Sequence, residues 1–184
     1  MGDESGAKAI DKDMYRFPPV DRRLTAVSDS LSDIADKYMA QGRFAEAREM
    51  VDSVFAIESS VLPPDHFLLV GTNMMKADCM GGLQRFDEAL AFLDEAQRLI
   101  SLNFGENSIR HINVLFPMYY FNLQLGNVEE SIRLNDRIKE VLDANGDPMH
   151  QGYAECAFNK VMLALMQHRI PEARAALPQY CLLY

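Results

Sequence analysis

Four short strings recur in this sequence at a fixed interval of 42 residues, and that interval limits the possible folds more than any other feature. They are Gly42-Arg43-Phe44-Ala45-Glu46-Ala47, Gln84-Arg85-Phe86-Asp87-Glu88-Ala89, Gly126-Asn127-Val128-Glu129-Glu130-Ser131 and His168-Arg169-Ile170-Pro171-Glu172-Ala173, with no insertion between copies. Self-similarity at such an interval marks stacked supersecondary units, each too small to bury its own apolar face.

Each column of the repeat has a physical reading. The first is a helix end, where glycine relieves a left-handed turn in two of the four copies. The third is bulky and apolar (Phe44, Phe86, Val128, Ile170) and is expected to face inward. The fifth is always glutamate, in the first turn of the next helix, where a carboxylate suits the positive dipole end. The sixth is small (Ala47, Ala89, Ser131, Ala173), which lets two helices approach closely. Pro171 sits at a helix start, where a missing N–H costs nothing.

A second motif lies between the strings. Pro64-Asp65-His66, Gly105-Glu106-Asn107-Ser108 and Gly146-Asp147-Pro148 are loops with helix-start chemistry, their acids 41 residues apart. Helices therefore alternate over about 24–40, 43–58, 66–82, 85–102, 108–124, 127–144, 149–167 and 170–177. In 85–102, Phe86, Leu93, Ala96 and Ile100 recur at helical spacing with Ala89, Leu90 and Leu99 beside them. The expected fold class is all-α: four antiparallel helix-turn-helix units over about 24–65, 66–107, 108–148 and 149–184, after a flexible N-terminal arm, 1–23. Pro18-Pro19 bars a helix through the arm, and Tyr15 and Phe17 could dock on the first unit.

On these residues the chain resembles the tetratricopeptide repeat superfamily, and its 42-residue period, longer second helix and loop acid look like the kinesin-light-chain type. The resemblance covers about 24–184 and implies a right-handed superhelix, or solenoid, whose concave face is lined by the first helix of each unit. The pattern departs from the family at Tyr119 and Val161, which stand where the first two units have Ala35 and Ala77, so helix spacing is expected to widen there.

The resemblance also implies which columns point into the groove. Thirteen residues before the turn come Asp29, Gly71, Asn113 and Glu155; ten before, Ser32, Met74, Phe116 and Phe158; six before, Asp36, Asp78, Tyr120 and Met162; three before, Met39, Gly81, Leu123 and Leu165. Asp33, Met75, Pro117, Asn159 and Ala40, Gly82, Gln124, Met166 complete the set. None is Lys or Arg, so the carboxylate grip of chaperone-binding relatives is missing, and of the paired asparagines of cargo-binding light chains only Asn159 is present. The candidate partner-binding residues are Asp29, Asp36 and Asp78, with Asp33, in an acidic half, and Phe116, Tyr120, Phe158 and Met162 in an apolar half. They suit a protein segment with a basic part and an apolar anchor. The competing reading is that the aromatics pack between helices and the acids are a solvated face. Pro117, inside a helix, is expected to kink it, either re-aiming Phe116 and Tyr120 or simply bending it.

Composition narrows the function classes. With 48% apolar and 24% charged residues the chain can bury a core. Its net charge of −9 belongs to residues 24–184, since 1–23 balance, and it argues against nucleic acid and anionic membranes as partners. No run approaches the roughly 20 apolar residues that span a bilayer, nothing resembles a signal peptide, and Gly6 stands where a myristoylation signal needs Ser or Thr. Cys79, Cys156 and Cys181 read as free thiols in a reducing compartment, so a cytoplasmic location is expected. His66, His111, His150 and His168 lie near helix ends without metal spacing; Gly81-Gly82 lacks the rest of a phosphate loop; there is no nucleophile elbow. The carboxylates sit in solvated positions with nothing to raise a pKa. No enzyme activity, cofactor or metal is expected.

Pro178 is expected to interrupt the last helix, leaving the apolar end Tyr180-Cys181-Leu182-Leu183-Tyr184, where a solenoid needs a polar cap. Either the array is cut from a longer protein, or this end is covered by a partner or a second copy. The expected function is a scaffold or adaptor that binds a protein segment in the groove. The alternatives are a structural subunit held by its edges and C-terminal end, and a regulatory repeat domain of a larger enzyme, as in some SET-type lysine methyltransferases.

Overall fold

The computed structural model describes residues 22–146 and 151–181, with side chains over 26–146 and 151–178. Residues 1–21 of the expected N-terminal arm, the loop residues Asp147, Pro148 and His150, and the terminal Leu182, Leu183 and Tyr184 lie outside the described residues, as do the side chains of Tyr180 and Cys181; the last two arm residues, Arg22 and Arg23, belong to the first helix. Among the described residues eight α-helices follow one another: α1 (Arg22–Ala40), α2 (Phe44–Val61), α3 (Leu69–Gly82), α4 (Phe86–Phe104), α5 (Ile112–Gln124), α6 (Val128–Asn145), α7 (Gly152–Met166) and α8 (Ile170–Cys181). A single 3-10 turn, Ile109–His111, leads into α5, and there is no strand among the described residues.

Each odd-numbered helix packs on the even-numbered helix after it, and each even one packs on the next odd one. The odd helices also lie side by side: the Cys79 thiol on α3 meets Met39 Sδ on α1 at 3.8 Å, and Gly81 on α3 lies against the ring of Phe121 on α5. The molecule is an all-α repeat solenoid.

The turn between paired helices has one geometry in all four copies. Gly42, Gln84, Gly126 and His168 take φ of +73°, +60°, +80° and +57°. The next N–H closes the turn onto a carbonyl five residues back: Arg43 to Tyr38 and Arg85 to Met80 at 2.9 Å, Asn127 to Asn122 at 2.9 Å, Arg169 to Ala164 at 2.8 Å. This is the glycine-type helix stop. The sequence expectation relied on glycine and saw it in two copies, yet the backbone holds the left-handed turn in all four.

The small column is the tightest part of the core: Ala47, Ala89 and Ser131 are 0% exposed and Ala173 is 3%. Ser131 fits because its single hydroxyl hydrogen has two carbonyl acceptors within reach, Asn127 at 3.1 Å and Tyr119 at 3.3 Å. In three copies the fifth-column glutamate takes an arginine from just before the helix: Arg43–Glu46 at 3.0 Å, Arg85–Glu88 at 2.6 Å and Arg169–Glu172 at 2.5 Å. The third copy has Asn127 there, and Glu130 pairs with Arg133.

Two further devices recur on the repeat, the first two units apart and the second in successive units. Lys76 reaches Asp52 at 3.6 Å, and Lys160 reaches Asp136 at 3.8 Å, each tying an odd helix to the even helix before it. Asn103 donates to the carbonyls of Leu99 (2.8 Å) and Asp65 (2.9 Å), while Asn145 donates to those of Val141 (2.7 Å) and Asn107 (2.8 Å), so each pins a helix end to the preceding loop.

The structure corrects two expectations. Pro178 does not interrupt the last helix: α8 runs through it to Cys181, as α5 runs through Pro117. Ile170 does not face inward but is 55% exposed. Its counterparts Phe44 and Phe86 are covered by the next odd helix, through Gly82 and through Phe121 (ring centroids 5.6 Å apart), and no such helix lies beside Ile170 among the described residues.

Candidate partner-binding face

The row of odd helices presents one continuous face. Three columns are solvent-exposed in every copy: Asp29, Gly71, Asn113, Glu155; Asp36, Asp78, Tyr120, Met162; and Ala40, Gly82, Gln124, Met166. Their regular exposure follows from the helical geometry. The residues that fall between them, such as Ala35, Ala77 and Tyr119, are buried against the paired helix.

The two halves of the face differ in chemistry. On α1 and α3, Asp29, Asp33, Asp36 and Asp78 are exposed carboxylates. Partial burial holds the Asp78 carboxyl above its ordinary value, and the neighbouring charge of Asp36 pushes it the same way. Asp94, on α4, is raised by burial and by Glu130. The expectation that no carboxylate here is desolvated is therefore corrected at both positions; the shift depends on packing between helices that periodicity does not measure.

On α5 and α7 the same face is apolar. Tyr120 is 51% exposed, Phe158 46% and Met162 37%. Phe116 differs: it is half-buried against the main core, as is Met74 one unit earlier. Leu165 (43% exposed) and Met166 (49% exposed) extend the apolar patch toward the end of α7. They fall in the groove columns, but the sequence reading did not single them out. Asn159, counted among the groove positions, is buried and donates to Asn135 Oδ1 at 3.0 Å, so it serves the α6–α7 junction.

The reactive-looking side chains have structural settings. Cys79 and Cys156 are buried free thiols, pushed by burial up to about 11 and about 12, and so are not nucleophiles at neutral pH. His66 and His111 are buried and held below the usual imidazole value by desolvation. His66 Nδ1 accepts from the Leu68 N–H at 3.1 Å; His111 Nε2 lies 3.2 Å from the Gly105 carbonyl, which can only accept, so that nitrogen carries the proton. Among the described residues no group of His, Cys, Asp and Glu is placed to hold a metal, and no helix is long and apolar enough to cross a membrane.

The fold is an all-α helical repeat similar to that of solved TPR-like repeat structures. Solved structures with the same fold include a Podosopora anserina kinesin-light-chain-type protein with nearly identical TPR-like repeats, 16% identical over 96% of this chain and 82% of that one, with a TM-score of 0.71. BtubC (BKLC) from P. vanneervenii is 16% identical over 96% of this chain and 69% of that one, at a TM-score of 0.76. A TPR-like protein of Chlorobium tepidum TLS is 15% identical over 88% and 96% of the two chains, at 0.55. Compared by sequence, no protein-family model matches the chain, and no curated protein does.

Proposed function

We propose that the chain is a scaffold or adaptor, not an enzyme, that binds a segment of a protein partner along the face formed by α1, α3, α5 and α7. The observation that carries this reading is the exposure of Tyr120, Phe158 and Met162, with Leu165 and Met166, on a face whose other half holds Asp29, Asp36 and Asp78. Large apolar side chains grouped on an open face are the usual anchors of an interface. The segment that fits has a basic stretch over α1 and α3 and an aromatic or aliphatic anchor over α5 and α7. The buried, protonated thiols suit a reducing compartment such as the cytoplasm.

Selection of random peptides displayed against the intact chain tests this. The reading expects a consensus with two or more Lys or Arg residues and an apolar residue at a fixed distance. Peptides without basic residues, or no enrichment at all, would sink it.

A second reading has its own observation. Leu177 is 45% exposed, while its counterparts Val51, Leu93 and Asn135 are 0%, 1% and 1% exposed; Ile170 is open in the same way. These support a contact at α8, either with a second copy or with a permanent neighbour in an assembly. Light scattering at low and high concentration separates the readings: concentration-dependent growth favours the α8 contact, a constant single-chain mass the groove.

A further inference from the structure

The junction between the third and fourth hairpins contains a half-open cleft of about 210 Å³ between α6, α7 and α8. Its inner wall is Ile132, Leu163, Ala164 and Ala176, with the buried Asn135 among them, whose amide is already engaged by the Cys156 carbonyl and Asn159. The cleft has a cause in the repeat. At the position of Ala176 the earlier units carry Met50, Phe92 and Leu134, and at the position of Ala164 they carry Tyr38, Met80 and Asn122. Both columns are cut back to a methyl group at this one junction, and space lost by such truncation is only partly closed by relaxation. The volume exceeds the about 150 Å³ that accommodates benzene in an apolar cavity.

The rim decides what could enter. Lys160 is matched by Asp136 at 3.8 Å, and Arg169 by Glu172 at 2.5 Å, so both bases already face an acid and the mouth is neutral. A charged ligand would gain nothing here and would lose its hydration. Lys160 and Asp136 are both substantially exposed, at 43% and 59%, so they can still donate to and accept from a peptide backbone. None of the lining residues belongs to the open columns of the partner-binding face, so the cleft stands apart from that reading.

We infer that this cleft is a receptor site for one uncharged side chain, aromatic or branched aliphatic, presented by a partner protein segment. That side chain occupies the space the repeat leaves empty at 164 and 176, with Lys160 and Asp136 meeting the backbone on either side of it.

The test is a methyl-NMR titration of the intact chain with N-acetylphenylalaninamide, with N-acetylglycinamide as control. The inference expects saturable shifts at the methyl groups of Ala164, Ala176, Leu163 and Ile132, none at Ala47 or Ala89, and none with the glycine analogue. Ala176→Leu, which restores the residue of the third unit, should raise the titration midpoint at least tenfold. Should Ala176→Leu not fold, Ala164→Met restores the residue of the second unit and should do the same. Absence of saturable shifts, equal shifts with the glycine analogue, or an unchanged midpoint in a folded, filled variant would overturn the inference.

Discussion

Gly82 lies directly beneath the ring of Phe44: a Cβ built on Gly82 would come within 2.3 Å of that ring's Cγ and Cδ1. Gly81 next to it faces Phe121 in the same way, but the nearest atom there is Cζ, at 2.5 Å, the far end of the side chain. A ring tip can swing aside; a ring root cannot without moving its helix. Gly82→Ala should therefore destabilise the chain by about 1–3 kcal/mol, and Gly81→Ala by clearly less. Thermal or urea unfolding of the two variants checks the order, and equal effects would mean that the contact does not fix how the first two hairpins meet.

The turn column gives a change of opposite sign. Gln84 and His168 hold the left-handed conformation that Gly42 and Gly126 hold without strain. That conformation costs an ordinary residue roughly 1–2 kcal/mol, and glycine gives back about half of this as chain entropy. Gln84→Gly and His168→Gly should each raise stability by about 0.5–1 kcal/mol, while Gly126→Ala should lower it. Denaturant midpoints at constant slope are the readout.

The buried histidines make stability depend on pH in a definite direction. Both His66 and His111 have folded values below the unfolded 6.5. The unfolded chain thus binds protons first, so their contribution is intact above pH 6.5 and is lost as pH falls through the folded values. His66 also loses its acceptor role toward Leu68 once Nδ1 is protonated. Asp78 and Asp94 act in the opposite sense, since their raised values favour the folded state on acidification, but only nearer the carboxylate range. Melting temperatures should fall on going from pH 7 to pH 5.5, and His111→Gln should flatten that slope.

Asp94 occupies the column of Asp52 and Asp136, and at the position where those two meet Lys76 and Lys160 the chain has Met118. Partial burial and the charge of Glu130 hold its carboxyl above the ordinary value. Met118→Lys should restore the pair and bring the Asp94 value down, which carbon-detected NMR titration of the carboxyl group reads directly. An unchanged titration would show that this junction packs differently from its neighbours.

How much of this was legible in the sequence varies by residue. The 42-residue interval alone located the helix pairs, because each column repeats one environment: Ala47, Ala89, Ser131 and Ala173 are all small and all buried. Of the six columns expected to face the groove, three are exposed in every copy, while Met74, Phe116 and Asn159 in the other three are partly or fully covered. What the sequence did not reveal depends on contacts between units. The left-handed turn at Gln84 and His168 is imposed by flanking helices that override residue preference. The desolvation of Asp78 requires knowing that Asp36 and α1 lie beside it. Asn159 looked like a groove residue until Asn135 was found to hold it. Pro178 looked like a stop, yet α8 continues through it. The Asn103 and Asn145 clamps were within reach, being 42 residues apart and both asparagine, but they lie outside the strings that announce the repeat.

The measurement that tests the central proposal most directly is the affinity of a selected peptide for the native chain and for two variants, Asp36→Lys with Asp78→Lys, and Phe158→Ala, each first shown by circular dichroism to be folded. The account predicts that native binding weakens with added salt, that the double charge reversal abolishes it, and that Phe158→Ala weakens it by roughly 30-fold, the loss of about 2 kcal/mol typical of a buried anchor. Native affinity in both folded variants would contradict it and would move the binding site off this face.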